Sequence, residues 1–473
     1  MSYDVLRTAS IGSNRQKIFI GILSLIFSVV SLFFLTAGKF SFMVVFATLP
    51  LIILSLFHFH KYSMYFFIGS MFLARYFYWP LRIQLAEFVI IIVFFYYLIN
   101  KDSGFYNNFS VPKSVKLSAA LLIFAVFISS VLSPHASAFS VYLSFLFLLF
   151  MISSYLTFKS VINSESVFSF LDSFSIFTVI SCIIILIQIF LGKHLRSVGL
   201  AGYAIMDFTA MASLILIIGG FLLGKIDTKK SFLIFIVLIG LITTQSRFAW
   251  LGFMLSMIYG VTVCSLNLEN AYKFLRNKIL LLIVLVLILS TIIFATGLGS
   301  VITSRLDTIN VSVLQAEEGQ DVLATTNSLD TRILIWLVAY NTFLKNPVTG
   351  VGYQMFSEVS ENYNIIPDLL YEDIVKDLDA HTTYLNFLVD TGLIGLSAFL
   401  IYLIIIFRIS YRSIKLSRND FEKKVSIILN VLVFFIMVHS IYSGAFTFGQ
   451  NAFSMHFVNG LTVANYVNLK RNS

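Results

Sequence analysis

Apolar runs of roughly 15–24 residues, broken by short polar connectors, recur along almost the whole of this chain. An α-helix needs about 20 apolar residues to cross a bilayer. The short alternating segments of a membrane β-barrel do not dominate. The pattern predicts about fourteen spans, near residues 18–36, 42–57, 62–79, 83–99, 117–133, 138–158, 170–191, 205–224, 231–245, 248–266, 279–297, 383–407, 426–446 and 452–466. One long polar stretch interrupts them. Within it, residues 332–344 read as an amphipathic helix that Asn346-Pro347 ends, because the residue before a proline is pushed out of the helical region. The expected fold is all-α, a polytopic integral membrane protein in three stretches: a bundle over 1–297 (spans 1–11), one large extracytoplasmic loop over 298–382, and a bundle over 383–473 (spans 12–14).

Composition agrees with the pattern. Hydrophobic residues make up 58%, charged residues only 12%, and mean hydropathy is +0.92; a soluble domain carries about 25% charged residues. Cys182 and Cys264 both fall in apolar runs, which argues against a disulfide framework or a cysteine metal site. Arg7, Arg15 and Lys17 precede the first apolar run as in a signal peptide, but that run is long and many follow, so it reads as a retained helix.

Charge sets the orientation. Residues 298–380 hold twelve Asp/Glu and four Lys/Arg, a net of −8, which leaves +17 on the rest of a chain whose total is +9. That excess lies in alternate connectors: Lys101 to Lys116, Lys159, Lys225 to Lys230, Lys273 to Lys278, Arg408 to Lys424, and Lys470-Arg471. Basic connectors stay in the cytoplasm, so both termini are expected there and the acidic loop outside. Spread over connectors rather than gathered in a patch, the charge reports topology and not a nucleic-acid partner.

Two outward connectors break the rule. Residues 192–203 (GKHLRSVGLAGY) carry Lys193, His194 and Arg196, and residues 243–250 (TTQSRFAW) place Arg247 at their apex. A cation at the membrane boundary either snorkels to headgroups or meets an anionic partner. At the end of the polar loop stands His381, with Asp379 close enough to orient it. A histidine there suits a cap, or a general base, since imidazole changes protonation near neutrality. Gly350 and Gly352 permit a tight loop. Trp336, Tyr340, Tyr353, Phe356 and Tyr363 suit stacking on sugars or packing of the loop onto the bundle. Glu87, inside a span, is expected to pair with Arg75 or Arg82. His58, His60, His135, His439 and His456 read as structural or interfacial.

In order, GKHLRSVGLAGY, the Ser246-Arg247 turn, TRILIWLVAYNTFLKNPVTGVGYQMF and AHTTYLNFLVDTGLIGL resemble bacterial O-antigen polymerases and ligases over roughly residues 190–465. Arg332, Trp336, Asn346-Pro347, Gly350, Gly352, Phe356, His381 and Gly392–Gly395 carry the most specific part. The resemblance implies a GT-C-like membrane glycosyltransferase on the outer face of the bacterial inner membrane. Its donor would be an undecaprenyl-diphosphate-linked glycan and its acceptor lipid-linked, with no cofactor, among membrane lipids and beside a chain-length regulator protein. Arginine forks match phosphate oxygens, so Arg196 and Arg247 would clamp the diphosphate and stabilise its leaving charge. His381 would take the acceptor's proton. Arg332 is a third contact or the partner of Asp330, and Trp336, Tyr353, Gly350 and Gly352 fall on the substrate side. Relatives often have Asn after the histidine, where this chain has Thr382, which leaves open whether an amide orients the ring. No metal is expected, since the arginines can do its electrostatic work, although Glu372-Asp373 and Asp377 with Asp379 keep a cation in play. Repeat-unit polymerase is the leading reading and O-antigen ligase the second. A transporter or flippase is the third, disfavoured because no internal repeat is evident.

Overall fold

The computed structural model describes residues 63–72, 85–100, 106–191, 204–222, 228–244, 246–268, 328–447 and 449–472. The expected spans 18–36, 42–57 and 279–297, and with them Arg75, Arg82, His58, His60, His194 and Arg196, lie outside the described residues. Among those described the protein is all-helical, without a strand. The main helices are α1 (Ser63–Met71), α2 (Leu85–Asn100), α3 (Lys113–Leu132), α4 (Ala138–Ser160), α5 (Ser164–Phe190), α6 (Ile205–Leu222), α7 (Thr228–Thr243), α8 (Arg247–Asn267), α9 (Ser328–Lys345), α10 (Thr383–Leu416), α11 (Asp420–His439) and α12 (Gly449–Asn472). Six of them, α3, α4, α5, α6, α8 and α10, are long and apolar enough to cross a membrane.

Starts are set locally. Ser137 and Asn163 cap α4 and α5 through reciprocal bonds with Ser140 and Ser166, and Asn419 caps α11 through the Glu422 N–H. Helix α12 is the unusual member. It carries Asn451, His456, Asn459, Asn465 and Asn468, yet Ala452–Tyr466 is buried throughout. It packs chiefly on α4 and α10, and the polar groups bond across helices: Asn465 accepts from the Ser164 hydroxyl at 3.2 Å and donates to Ser426 at 2.9 Å. Inside a membrane bundle such polar contacts join helices that the hydrophobic effect does not. The expected span 452–466 is short because that polar composition hides a helix of 24 residues.

Lys159, Lys423 and Arg471 gather at one end of the bundle. Lys159 donates to the Asn107 and Phe109 carbonyls, Lys423 to the Asn267 carbonyl, and Arg471 lies over Phe109. Helices α3, α5 and α11 begin at that end, and α4, α10 and α12 finish there. The polar 346–383 region occupies the opposite end.

Helix α10 is broken at Gly392, where φ is 63° and ψ −167°, a conformation essentially confined to glycine. The break frees carbonyls, and the loop after α9 takes them up. The Val351 and Gly352 N–H groups donate to the Val389 and Asp390 carbonyls at 3.1 and 2.8 Å, and Leu393 N–H donates back to the Pro347 carbonyl at 2.9 Å. Ser129 adds a bond to Asp390 O and Ser133 one to Val351 O. A Cβ on Gly392 would overlap the Val348 carbonyl. Gly392→Ala is therefore expected to cost about 3 kcal/mol or more, read as an earlier unfolding midpoint of the purified protein in detergent.

Candidate functional site

The site is assembled at the end of the bundle opposite Lys159, Lys423 and Arg471. A short turn joins α7 to α8, pinned by the Trp250 indole N–H on the Leu241 carbonyl at 2.8 Å and capped by Ser246. Arg247 is the first residue of α8; its side chain lies outside the described ones, as does that of Asp330. The next residue, Phe248, places its ring under the Arg332 guanidinium, 3.9 Å from the centroid, and stacks on Tyr442 at 5.4 Å. Arg332 also donates to the Tyr442 carbonyl at 2.7 Å. The start of α8 and the first turns of α9 thus meet over the turn between α11 and α12.

That turn also holds His381. The Thr383 N–H donates to the Ser440 and Ser443 carbonyls, and the Trp336 indole, one turn along α9 from Arg332, donates to the Ala380 carbonyl at 3.1 Å. Pinned on both sides, His381 takes a positive φ of 56°, a backbone strain that persists only where the surroundings dictate it. Its Nδ1 meets Asp379 Oδ1 in a short hydrogen bond. With Nδ1–H donating, the lone pair sits on Nε2. The other carboxylate oxygen accepts from the Asn386 amide at 2.9 Å, while Asn386 Oδ1 accepts the Ala380 N–H at 2.8 Å. The orienting amide thus acts through Asp379 and comes from α10. Thr382 caps α10 by accepting the Leu385 N–H.

Burial pushes the Asp379 carboxyl up, but the bonds from His381 and Asn386 and the electrostatic pull of His381 outweigh it and hold the group below the usual carboxylate range. A depressed folded value means that Asp379 contributes stability above the usual carboxylate range and loses it as pH falls through the depressed value. Asp379→Asn is expected to flatten the acid arm of the unfolding midpoint plotted against pH, with the difference from the parent protein largest at neutral pH.

Gly350 and Gly352 both have positive φ and serve the loop's docking on α10. Tyr353 does not face the site. It is 1% exposed, its ring packs on Phe147 and Phe387, and its hydroxyl donates to the Thr447 carbonyl, so it braces the loop from inside. Phe356 is likewise buried, whereas Trp336 and Tyr340 are exposed. His135 bonds the Tyr363 hydroxyl at 2.7 Å, and the His456 ring is buried among Phe147, Phe150 and Tyr402. His439 Nε2 lies 2.6 Å from Asp207 Oδ1, both buried, without the alignment of a hydrogen bond. Beside the dyad opens a cavity of about 450 Å³ whose lining includes Asp379 and Glu87 but not the His381 ring.

Sequence reasoning missed Asn386, Gly444 and the turn carbonyls. Gly444 lies so close to Asp379 and Asn386 that a Cβ would collide with both. An asparagine one turn into an apolar helix after His381 was the available signal for Asn386.

A helical membrane bundle with a histidine–carboxylate pair and an arginine at one polar end defines a class of membrane protein built for polar chemistry at its rim. Residues 232–400 match the family described as O-antigen ligase, which supports the O-antigen polymerase and ligase family, whose members are enzymes. The match runs from α7 through Arg247, Arg332 and His381 past the break in α10, and leaves the 440–447 turn outside. A comparison with curated proteins returns no match.

Proposed function

We propose that this chain is a membrane glycosyltransferase that polymerises lipid-diphosphate-linked oligosaccharide repeat units into a surface polysaccharide, with undecaprenyl diphosphate as the lipid carrier. The observation that carries the reading is the oriented dyad, His381 on Asp379 on Asn386, set beside Arg332 and the start of α8. In the reaction, His381 Nε2 takes the proton of an acceptor hydroxyl as its oxygen attacks the anomeric carbon of the donor. The carbon–oxygen bond to the diphosphate breaks, its electron pair leaves with the phosphate, and the anomeric centre inverts, as the family resemblance implies. Arg247 and Arg196 receive the leaving charge, which a water-poor site makes the largest contribution to rate. Arg332, already held by Tyr442 and Phe248, shapes the cationic side. The site faces away from the cytoplasm, a placement supported by the basic residues at the opposite end of the bundle. The described part of the loop, residues 328–382, then lies on the outer face.

The family description favours a second reading, O-antigen ligase, in which the same chemistry delivers finished polymer to lipid A-core. Glycan analysis in a strain lacking the gene separates the two. Acceptors capped with single repeat units establish the polymerase, polymer stranded on its lipid carrier establishes the ligase, and unchanged glycans overturn both.

A further inference from the structure

The reaction needs a place for a sugar ring as well as for a diphosphate, and the two ends of the site differ in chemistry. Arg332 and the start of α8 form the cationic side. The cavity of about 450 Å³ on the other side of Asp379 has no Lys or Arg in its described lining. Its volume falls among small-molecule pockets, about 300–1,000 Å³. Asp377, Asp379, Glu87 and Asp390 supply carboxylates, the last two 2% and 4% exposed. Gln354, Asn386 and Thr447 supply amides and a hydroxyl, and Leu146, Phe150 and Phe356 supply apolar surface.

Two of the polar groups are fixed by hydrogen bonds. Asp390 receives the Gln354 and Phe356 N–H groups, one on each carboxylate oxygen, which leaves further lone pairs. Asn386 holds Asp379 in place. The carboxylates come from α2, the loop and α10 and are spread round the lining; among the described residues no three His, Cys, Asp or Glu side chains converge as a metal site does. A lining of scattered acceptors beside apolar surface matches a polyhydroxyl ring, whose hydroxyls donate and whose C–H faces are apolar. It offers a second carboxylate no cation to pair with, since no Lys or Arg stands in its described lining, and like charges disfavour one another.

We infer that this cavity holds the acceptor's neighbouring sugar, next to the one whose hydroxyl meets His381, and takes a neutral or amino sugar, excluding uronic acids and phosphate-substituted sugars. The inference rests on the transfer reading for the word acceptor; sugar binding itself is tested without transfer. The full chain in lipid nanodiscs is titrated with a panel of methyl disaccharides, neutral, amino and uronate, read by saturation-transfer NMR. Two variants accompany it. Glu87→Gln removes a lining carboxylate, and Ser357→Phe fills the cavity from a half-buried position without removing a buried charge. At least one neutral or amino disaccharide is expected to bind, to lose about tenfold or more in affinity in both variants, and to bind about tenfold or more tighter than its uronate counterpart, each tenfold being about 1.4 kcal/mol. Uronates that bind as well as neutral sugars, the absence of neutral or amino binding, or binding indifferent to Ser357→Phe would overturn it. Binding without transfer would leave the sugar subsite standing and remove the proposed function, whereas transfer with no binding in the cavity would do the reverse.

Discussion

Replacing His381 with alanine is expected to slow glycan transfer by about 10²–10⁴-fold, the range that a positioned general base contributes. The loss should fall on the rate at saturating acceptor, because the imidazole acts on the proton in flight and does not hold the sugar. The geometry makes the expectation specific. Nδ1 is committed to Asp379, Asp379 to Asn386, and Asn386 to the Ala380 N–H, so the ring has one orientation and one free nitrogen. The positive φ of His381 adds a control. Alanine relieves no strain at φ 56°, whereas His381→Asn keeps a residue type that tolerates this conformation. His381→Asn should fold at least as well as His381→Ala and be as inactive. An asparagine variant with near-parental turnover would remove the base from the mechanism.

Arg247→Ala is expected to cost about 10²–10³-fold in turnover, the effect of deleting one group that stabilises developing charge, with insertion into the membrane intact. Arg247 opens α8 next to Phe248, on which Arg332 rests. The two arginines should nevertheless separate by variant. Arg332 is held by a carbonyl and an aromatic face, so Arg332→Lys loses the flat stacking of a guanidinium. At Arg247, lysine should restore part of the activity as a point charge on phosphate. Both are measured as turnover and donor KM of purified variants; an Arg247→Ala protein that transfers at the parental rate would end the clamp.

Much of the fold was legible because burial in a bilayer writes itself into composition. The expected spans 117–133, 138–158, 205–224 and 248–266 fall on α3, α4, α6 and α8. The weaker cases have a physical cause. Helix α12 is polar and buried between other helices rather than facing lipid, so hydropathy underrates it. Helix α10 runs to Leu416, past the apolar run, with Arg408, Arg412 and Lys415 in its extension. In the site, Asp379 beside His381 was readable from spacing two apart. The turn over 440–447 was not, since it contributes the carbonyls of Tyr442, Ser443 and Thr447, which any residue type supplies. Tyr353 was open between stacking on a sugar and packing the loop, since the ring suits both, and its burial against Phe147 and Phe387 shows that it packs the loop.

The most direct measurement is transfer by the purified chain alone, reconstituted in lipid with a lipid-diphosphate-linked repeat unit as the sole glycan. Chain growth should appear with one free lipid diphosphate released per bond formed, and both should vanish together in His381→Ala. Repeat units that cross the bilayer unchanged, or glycan growth that persists in His381→Ala, would contradict a transferase built on the Asp379–His381 pair.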